Sequence, residues 1–193
     1  KVSKIIALLP GSRMGEVRWH LDTMLKTAQL MQKSLPECLF LLPVNNQANY
    51  GYALSQLRNY HALNVRLIIG HSHDVINASD ICLLASGTAS LEAALYKKPM
   101  VVMYKTSWFS WLILKRMHLI PFVGLPNILL GKLLVPELLQ YEASPQKLAQ
   151  KLLAVCSDKK YLNNLSGEYK KLHLSLKKNT SQIIIDQLNR YLK

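Results

Sequence analysis

Apolar residues collect in five short runs, Lys4 to Leu9, Leu39 to Val44, Val65 to Ile69, Ile81 to Ala85 and Pro99 to Tyr104, each of strand length. Between the first two, Leu21, Met24, Leu25, Ala28, Met31 and Leu35 recur at helical spacing and predict a crossover helix with one buried stripe. Strands covered by helices on both faces read as unbroken rather than alternating apolar runs, as Ile5, Ile6, Ala7, Leu8 and Leu9 do. The pattern predicts an α/β fold, a Rossmann-like, doubly wound parallel sheet.

Strand signals stop after Leu134. Ser144 and Pro145 have the residue types of an N-cap and a first helical position ahead of Leu148, Leu152 and Val155. Two further stripes, Leu162, Leu165, Tyr169, Leu172 and Leu176, then Ile184, Leu188, Tyr191 and Leu192, have helical spacing with Lys and Asn on the other faces. Residues 1–143 are therefore expected to form the sheet domain. Residues 144–193 are expected to be helices packed on that domain, on a missing amino-terminal domain or on a partner chain. No internal repeat or low-complexity tract interrupts this order.

Composition narrows the picture. At 193 residues, 50% of them hydrophobic, the chain can bury one good core. It opens at Lys1 without an initiator Met and enters a strand-like run at once, which suggests a piece cut from something longer at a domain boundary. Cys38, Cys82 and Cys156 are odd in number, widely spaced and set among apolar residues, as expected of a reducing cytoplasm. No apolar run approaches the ~18 residues of a spanning helix, so a soluble or peripheral protein is expected. The net charge of +13 favours polyanionic partners: nucleotide phosphates, anionic lipid or nucleic acid. No basic helix, aromatic sheet signature or zinc spacing is present, and nucleic acid is not an expected partner.

In an open parallel sheet, ligands bind beyond the carboxyl ends of the strands. The first strand is followed by Pro10, Gly11, Ser12, Arg13, Met14 and Gly15, a small-residue turn that brings one Arg to a helix start. Amides near glycine, a helix N-terminus and a guanidinium suit phosphate. A tight turn with a surface Arg is an equal reading of Gly-Ser-Arg alone. The turn fits neither the dinucleotide fingerprint nor the P-loop. The fourth strand leads into Ala85, Ser86, Gly87, Thr88, Ala89, Ser90, Leu91 and Glu92. Small hydroxyls and unpaired N–H groups at a helix start suit a diphosphate, and Glu92, one turn after Thr88, could accept two hydrogen bonds from a ribose diol. An ordinary helix cap, with Glu92 favoured by the dipole, accounts for the same spacing.

His71 and His73 are two apart, poor spacing for metal ligands on one helical face, and no metal is expected. Trp108, Phe109, Trp111, Leu112, Ile113 and Leu114, followed by Lys115 and Arg116, fit either a membrane-touching segment or a crossover helix buried in the core. Apolar residues on nearly every side favour the core.

The order PGSR…E after the first strand, then ASGTASLEAAL…KPMVVMYK, then LPNILLGKLLVPELLQ, resembles the carboxyl-terminal domain of lipid-A-disaccharide synthase, an inverting glycosyltransferase of the GT-B fold in Gram-negative bacteria. More loosely, the arrangement is similar to other GT-B enzymes and to UDP-sugar epimerases. The resemblance implies transfer of diacylglucosamine from UDP-diacylglucosamine to diacylglucosamine 1-phosphate (lipid X), with release of UDP and no cofactor. It implies that Ser12, Arg13 and the turn Ser86, Gly87, Thr88 and Ser90 hold the diphosphate and that Glu92 takes the ribose. It places Asn127, Glu137 and Gln140 along the interdomain cleft near the donor sugar. Read without it, Asn127 is a turn residue after Pro126 and Glu137 the first turn of a helix. Arg13 would stabilise the leaving group, while the general base would lie in an absent amino-terminal domain. A peripheral site on the inner face of the inner membrane and a homodimer with exchanged carboxyl-terminal segments are further implications. Lys105 and Lys132 are cations near the proposed cleft. Another UDP-sugar enzyme of the same fold, such as a UDP-N-acetylglucosamine epimerase, and a non-catalytic domain that binds nucleotide or anionic lipid are the rival readings.

Overall fold

The computed structural model describes residues 2–107 and 122–177, together with Ile185 and Leu188. Six strands, β1 (Lys4–Leu9), β2 (Cys38–Val44), β3 (Val65–Ile69), β4 (Ile81–Ala85), β5 (Met100–Tyr104) and β6 (Glu137–Leu139), form one sheet in the order β3-β2-β1-β4-β5-β6. Every pair is parallel. The order reverses direction between β1 and β4, which opens a crevice at the carboxyl ends of those two strands.

Helices α1 (Met14–Ser34), α2 (Gln47–Leu57), α3 (Ser72–Ala78), α4 (Thr88–Leu95), α5 (Leu125–Leu130), α6 (Pro145–Ser157) and α7 (Lys159–Leu176) complete the described residues. Pleating sends Ile6 and Leu8 of β1 to one side, against Val17, Leu21, Met24 and Leu25 of α1 and Leu148 and Leu152 of α6. Ala7 and Leu9 go to the other side, with Val75 and Ile76 of α3, Ala93 of α4, and Leu165, Tyr169 and Leu172 of α7. Two apolar layers on one sheet are the reason its strands read as unbroken apolar runs.

Helix starts follow the local sequence. Ser144 accepts the Lys147 amide ahead of Pro145, as its residue type predicted, and Asn46 and Asp158 cap α2 and α7 through the amides of Asn49 and Tyr161. Helix α1 begins at Met14, seven residues before the stripe that predicted it, and the buried Val17 carries that stripe one turn further back. The expectation that strands end after Leu134 is corrected by β6, a three-residue edge strand beside β5. So short a run, opening on Glu137, carries no periodicity to read. Helices α6 and α7 lie on opposite faces of the sheet, so the chain after Ser144 closes both layers. The stripe through Ile184, Tyr191 and Leu192 and the segment Trp108 to Arg116 fall outside the described residues, while Leu188 is exposed.

One ionic cluster fastens α7 to the end of α5. Glu168 receives Lys132 and Lys171, and these cations hold its carboxyl down to about 2 against an ordinary 4.5. A carboxyl held low in the fold contributes stability above its ordinary value that is lost as pH falls toward the folded one. Glu168→Gln is expected to be less stable at neutral pH and to flatten the dependence of the melting temperature on pH between those limits. Parallel melting curves for the two proteins would count against the cluster.

Candidate functional site

A cavity of about 390 Å³ lies over the carboxyl ends of β1, β2, β3 and β4. Its walls include Ser12 and Arg13 after β1, Asn45 after β2, Gly70 and Ser72 after β3, and Ser86, Gly87, Thr88, Ala89 and Glu92 at the start of α4. Strand ends far apart in the chain bring these residues together.

The α4 turn offers the cavity unpaired donors. Gly87, at φ 150, a backbone conformation that favours glycine, precedes the first helical residue. Among the described residues no acceptor meets the amides of Gly87, Thr88 and Ala89, whereas the Ser90 amide donates to the Gly87 carbonyl. The exposed N–H groups and the positive end of the helix dipole attract an anion. The serines of the turn have a different task. Ser86 Oγ donates to the Val123 carbonyl at 2.6 Å, and Ser90 Oγ donates to Gly87 and accepts the Leu125 amide at 3.0 Å. They fasten the turn to the chain entering α5, leaving the Thr88 hydroxyl on the cavity wall.

The Gly11 to Arg13 loop departs from expectation. Two of its amides are already taken, since Glu16 Oε2 accepts Ser12 N at 2.9 Å and Arg13 N at 3.2 Å, and Glu16 Oε1 pairs with the Arg13 guanidinium at 3.2 Å. The Ser12 carbonyl is held by Asn49 Nδ2 at 3.0 Å. What the loop presents is the Arg13 side chain, 85% exposed, and the Ser12 hydroxyl. Glu16 stands three residues after the N-cap, where a carboxylate reaches back to first-turn amides, so its spacing was a readable signal.

Glu92 lies on the cavity wall and its Oε2 is 3.3 Å from His73 Nε2. His71 pairs with Asp74 instead, and among the described residues no three His, Cys, Asp or Glu side chains group as metal ligands.

Ser90, Asn127, Glu137 and Gln140 stand outside the cavity wall. Asn127 is fully buried: its Oδ1 accepts the amides of Leu134 and Val135, and its Nδ2 donates to the Val135 carbonyl and to Glu137 Oε1 at 2.7 Å. Glu137, in β6 rather than a helix, also accepts the amides of Val123 and Gly124. The pair is a knot that sets residues 123–125 against the Ser86 to Ser90 turn. Gln140, in the left-handed region at φ 48, exchanges hydrogen bonds with the Thr106 main chain. Lys105 Nζ donates to Thr23 Oγ1, and Lys132 pairs with Glu168; neither is on the cavity wall.

An open parallel sheet with its cavity at the point of reversal makes this a Rossmann-like α/β domain, the fold found in GT-B glycosyltransferases. Solved structures share that fold: WaaG, a glycosyltransferase involved in lipopolysaccharide biosynthesis (TM-score 0.60, 15% identity, 92% of this chain and 44% of that one), is one. The UDP-GlcNAc 2-epimerase of Neisseria meningitidis bound to UDP-GlcNAc is another (TM-score 0.61, 19% identity, 97% and 45%). The family model described as lipid-A-disaccharide synthetase matches residues 1–187, and the chain belongs to that family. The lipid-A-disaccharide synthase of Methylobacillus flagellatus is 43% identical over 183 residues, 93% of this chain and 48% of the relative. The chain thus spans about half the length of the curated relatives it matches.

Proposed function

We propose that the cavity binds the UDP part of a UDP-sugar and that the chain is the donor-binding half of a lipid-A-disaccharide synthase. One observation carries the reading: Gly87, Thr88 and Ala89, whose amides meet no acceptor among the described residues, and Arg13, whose guanidinium pairs with Glu16 but is 85% exposed, line a single cavity, with Glu92 one helical turn further along α4. The amides and Arg13 take the diphosphate, and Glu92 takes the ribose hydroxyls. Ser86, Ser90, Asn127 and Glu137 serve by holding the turn rather than by touching the donor. Gln140 fixes the chain that leaves β5.

Chemically, an inverting transfer develops charge on the departing UDP, and Arg13 with the α4 N-terminus is placed to stabilise it without a cofactor. The base that deprotonates the acceptor belongs to another part of the enzyme. Diacylglucosamine would pass from UDP-diacylglucosamine to lipid X. Both are lipids, and the charge of +13 with exposed Ile128, Leu129 and Leu133 beside Lys132 suits the anionic inner face of the inner membrane. No helix among the described residues is long and apolar enough to cross it. A homodimer that exchanges carboxyl-terminal segments completes the proposal and rests on family resemblance.

Calorimetric titration of the chain with UDP and UMP tests it. UDP is expected to bind more tightly. Loss of a charge-assisted contact worth about 1.5–3 kcal/mol weakens Arg13→Ala by roughly 10- to 100-fold, and Glu92→Ala loses affinity for both nucleotides. Equal affinities that ignore both substitutions would remove the donor site.

A further inference from the structure

His20 is the one buried imidazole among the described residues, and the proposed chemistry makes no use of it. It sits in the second turn of α1, where an apolar residue would continue the stripe that runs from Val17 to Met31. Its two nitrogens join the ends of two strands. The Lys105 amide after β5 donates to Nε2 at 3.2 Å, so Nε2 is the bare nitrogen, and Nδ1 carries the proton that it donates to the Pro10 carbonyl at 3.1 Å. Pro10 opens the loop that carries Arg13. Asn49 holds the Ser12 carbonyl, and Glu16 holds the Ser12 and Arg13 amides.

We propose that His20 is a positioning residue: its neutral ring ties the Pro10 carbonyl to the Lys105 amide and thereby aims Arg13 into the cavity from a frame shared by β1 and β5. The inference rests on the reading of that cavity as a nucleotide site.

A second proton on the ring would set an N–H against the Lys105 N–H, so the strut holds in the neutral form alone. Burial pushes the ring's pKa below 6.5, against the pull of the Pro10, Glu16 and Lys105 backbone and, last, of the Glu16 carboxylate one turn earlier on the same helix. From the β5 side it faces the Tyr104 ring, with centroids 6.0 Å apart, and the Lys105 main chain, the Lys105 ammonium being bound to Thr23. A group whose folded pKa is lowered lends stability above its ordinary value and loses it as pH falls toward the folded one. The grip on Arg13 is therefore expected to loosen on the acid side.

Two measurements test the strut. The first compares wild type with His20→Asn, which retains a donor for Pro10 and does not titrate. The ligand is a UDP-sugar, whose diphosphate diester does not titrate where imidazoles do. The ratio of wild-type to variant affinity is expected to hold near pH 7.5 and to fall about tenfold as the pH is taken down below 6.5. His71 and His73 are common to both proteins, so any contribution of theirs cancels in the ratio. A flat ratio would overturn the proposal. The second needs no ligand: amide exchange at Lys105 is expected to quicken about tenfold in His20→Ala relative to wild type at neutral pH, and unchanged protection would overturn the strut. Failure of every protein to bind the UDP-sugar at any pH would defeat the nucleotide reading, and amide exchange would still decide the strut.

Discussion

Replacing Asn127 with leucine is expected to be the most damaging single change near the site, lowering stability by about 3–5 kcal/mol. Leucine fills similar volume, so the loss is one of bonding. The amides of Leu134 and Val135 and the Val135 carbonyl lose their partner in a fully buried position, and Glu137 loses a donor. Each such group left unmade costs roughly 1–3 kcal/mol, and partial rearrangement keeps the total below the simple sum. For a chain of this size the melting temperature should fall by about 10 °C. Asn127→Asp separates bonding from charge. It keeps an acceptor for both amides but sets a carboxylate beside Glu137 Oε1, so its loss should shrink as pH drops and the pair takes up a proton. A melting temperature for Asn127→Leu within about 2 °C of wild type would show that the knot is dispensable.

The second large effect is expected of Gly11→Ala. Gly11 lies at φ 111, and an added Cβ would stand 2.5 Å from Glu16 Oε2 and 2.6 Å from Glu16 Cβ. A flexible carboxylate tip could yield, but Glu16 Cβ is fixed to the α1 backbone. The loop must move instead, and it loses the Glu16 bonds to Ser12 and Arg13. Backbone strain and overpacking together are expected to cost about 2–4 kcal/mol. Displacement of Arg13 should weaken nucleotide binding at least tenfold or so. Gly131→Ala is the control: it also has positive φ, at 64, but nothing stands within 4 Å of the added carbon, so about 1 kcal/mol is expected. Urea unfolding with nucleotide titration checks both. Equal costs for the two substitutions would mean that the Glu16 contact carries nothing.

The central strands were legible because both faces of the sheet are covered, and continuous apolar runs such as Ile81 to Ala85 follow directly from that burial. The edge strand β6 was not legible. Its pairing with β5 is decided by the chain around it, and Glu137 has a strand position only because Asn127, Val123 and Gly124 converge on its carboxylate. The cavity was legible in outline, since strand ends and a small-residue helix start are sequence features. Division of labour inside it was not. Whether Ser86 meets a ligand or Val123 depends on a contact 37 residues away in sequence, and the His20 bridge to Lys105 spans 85. Nothing in the sequence singles out Asn49; its hold on Ser12 arises because α2 begins beside the end of β1.

The bonding of the Pro10 to Arg13 loop also bears on kinetics. Its carbonyls at Pro10 and Ser12 and its amides at Ser12 and Arg13 are occupied before any ligand arrives. The conformational entropy of ordering that segment is thus lost during folding rather than at the moment of association. If the cavity takes the proposed nucleotide, its arrival is expected to wait on collision and on steering by the positive field rather than on ordering of this loop. Differences in affinity among ligands of this cradle should accordingly be differences in how long each one stays.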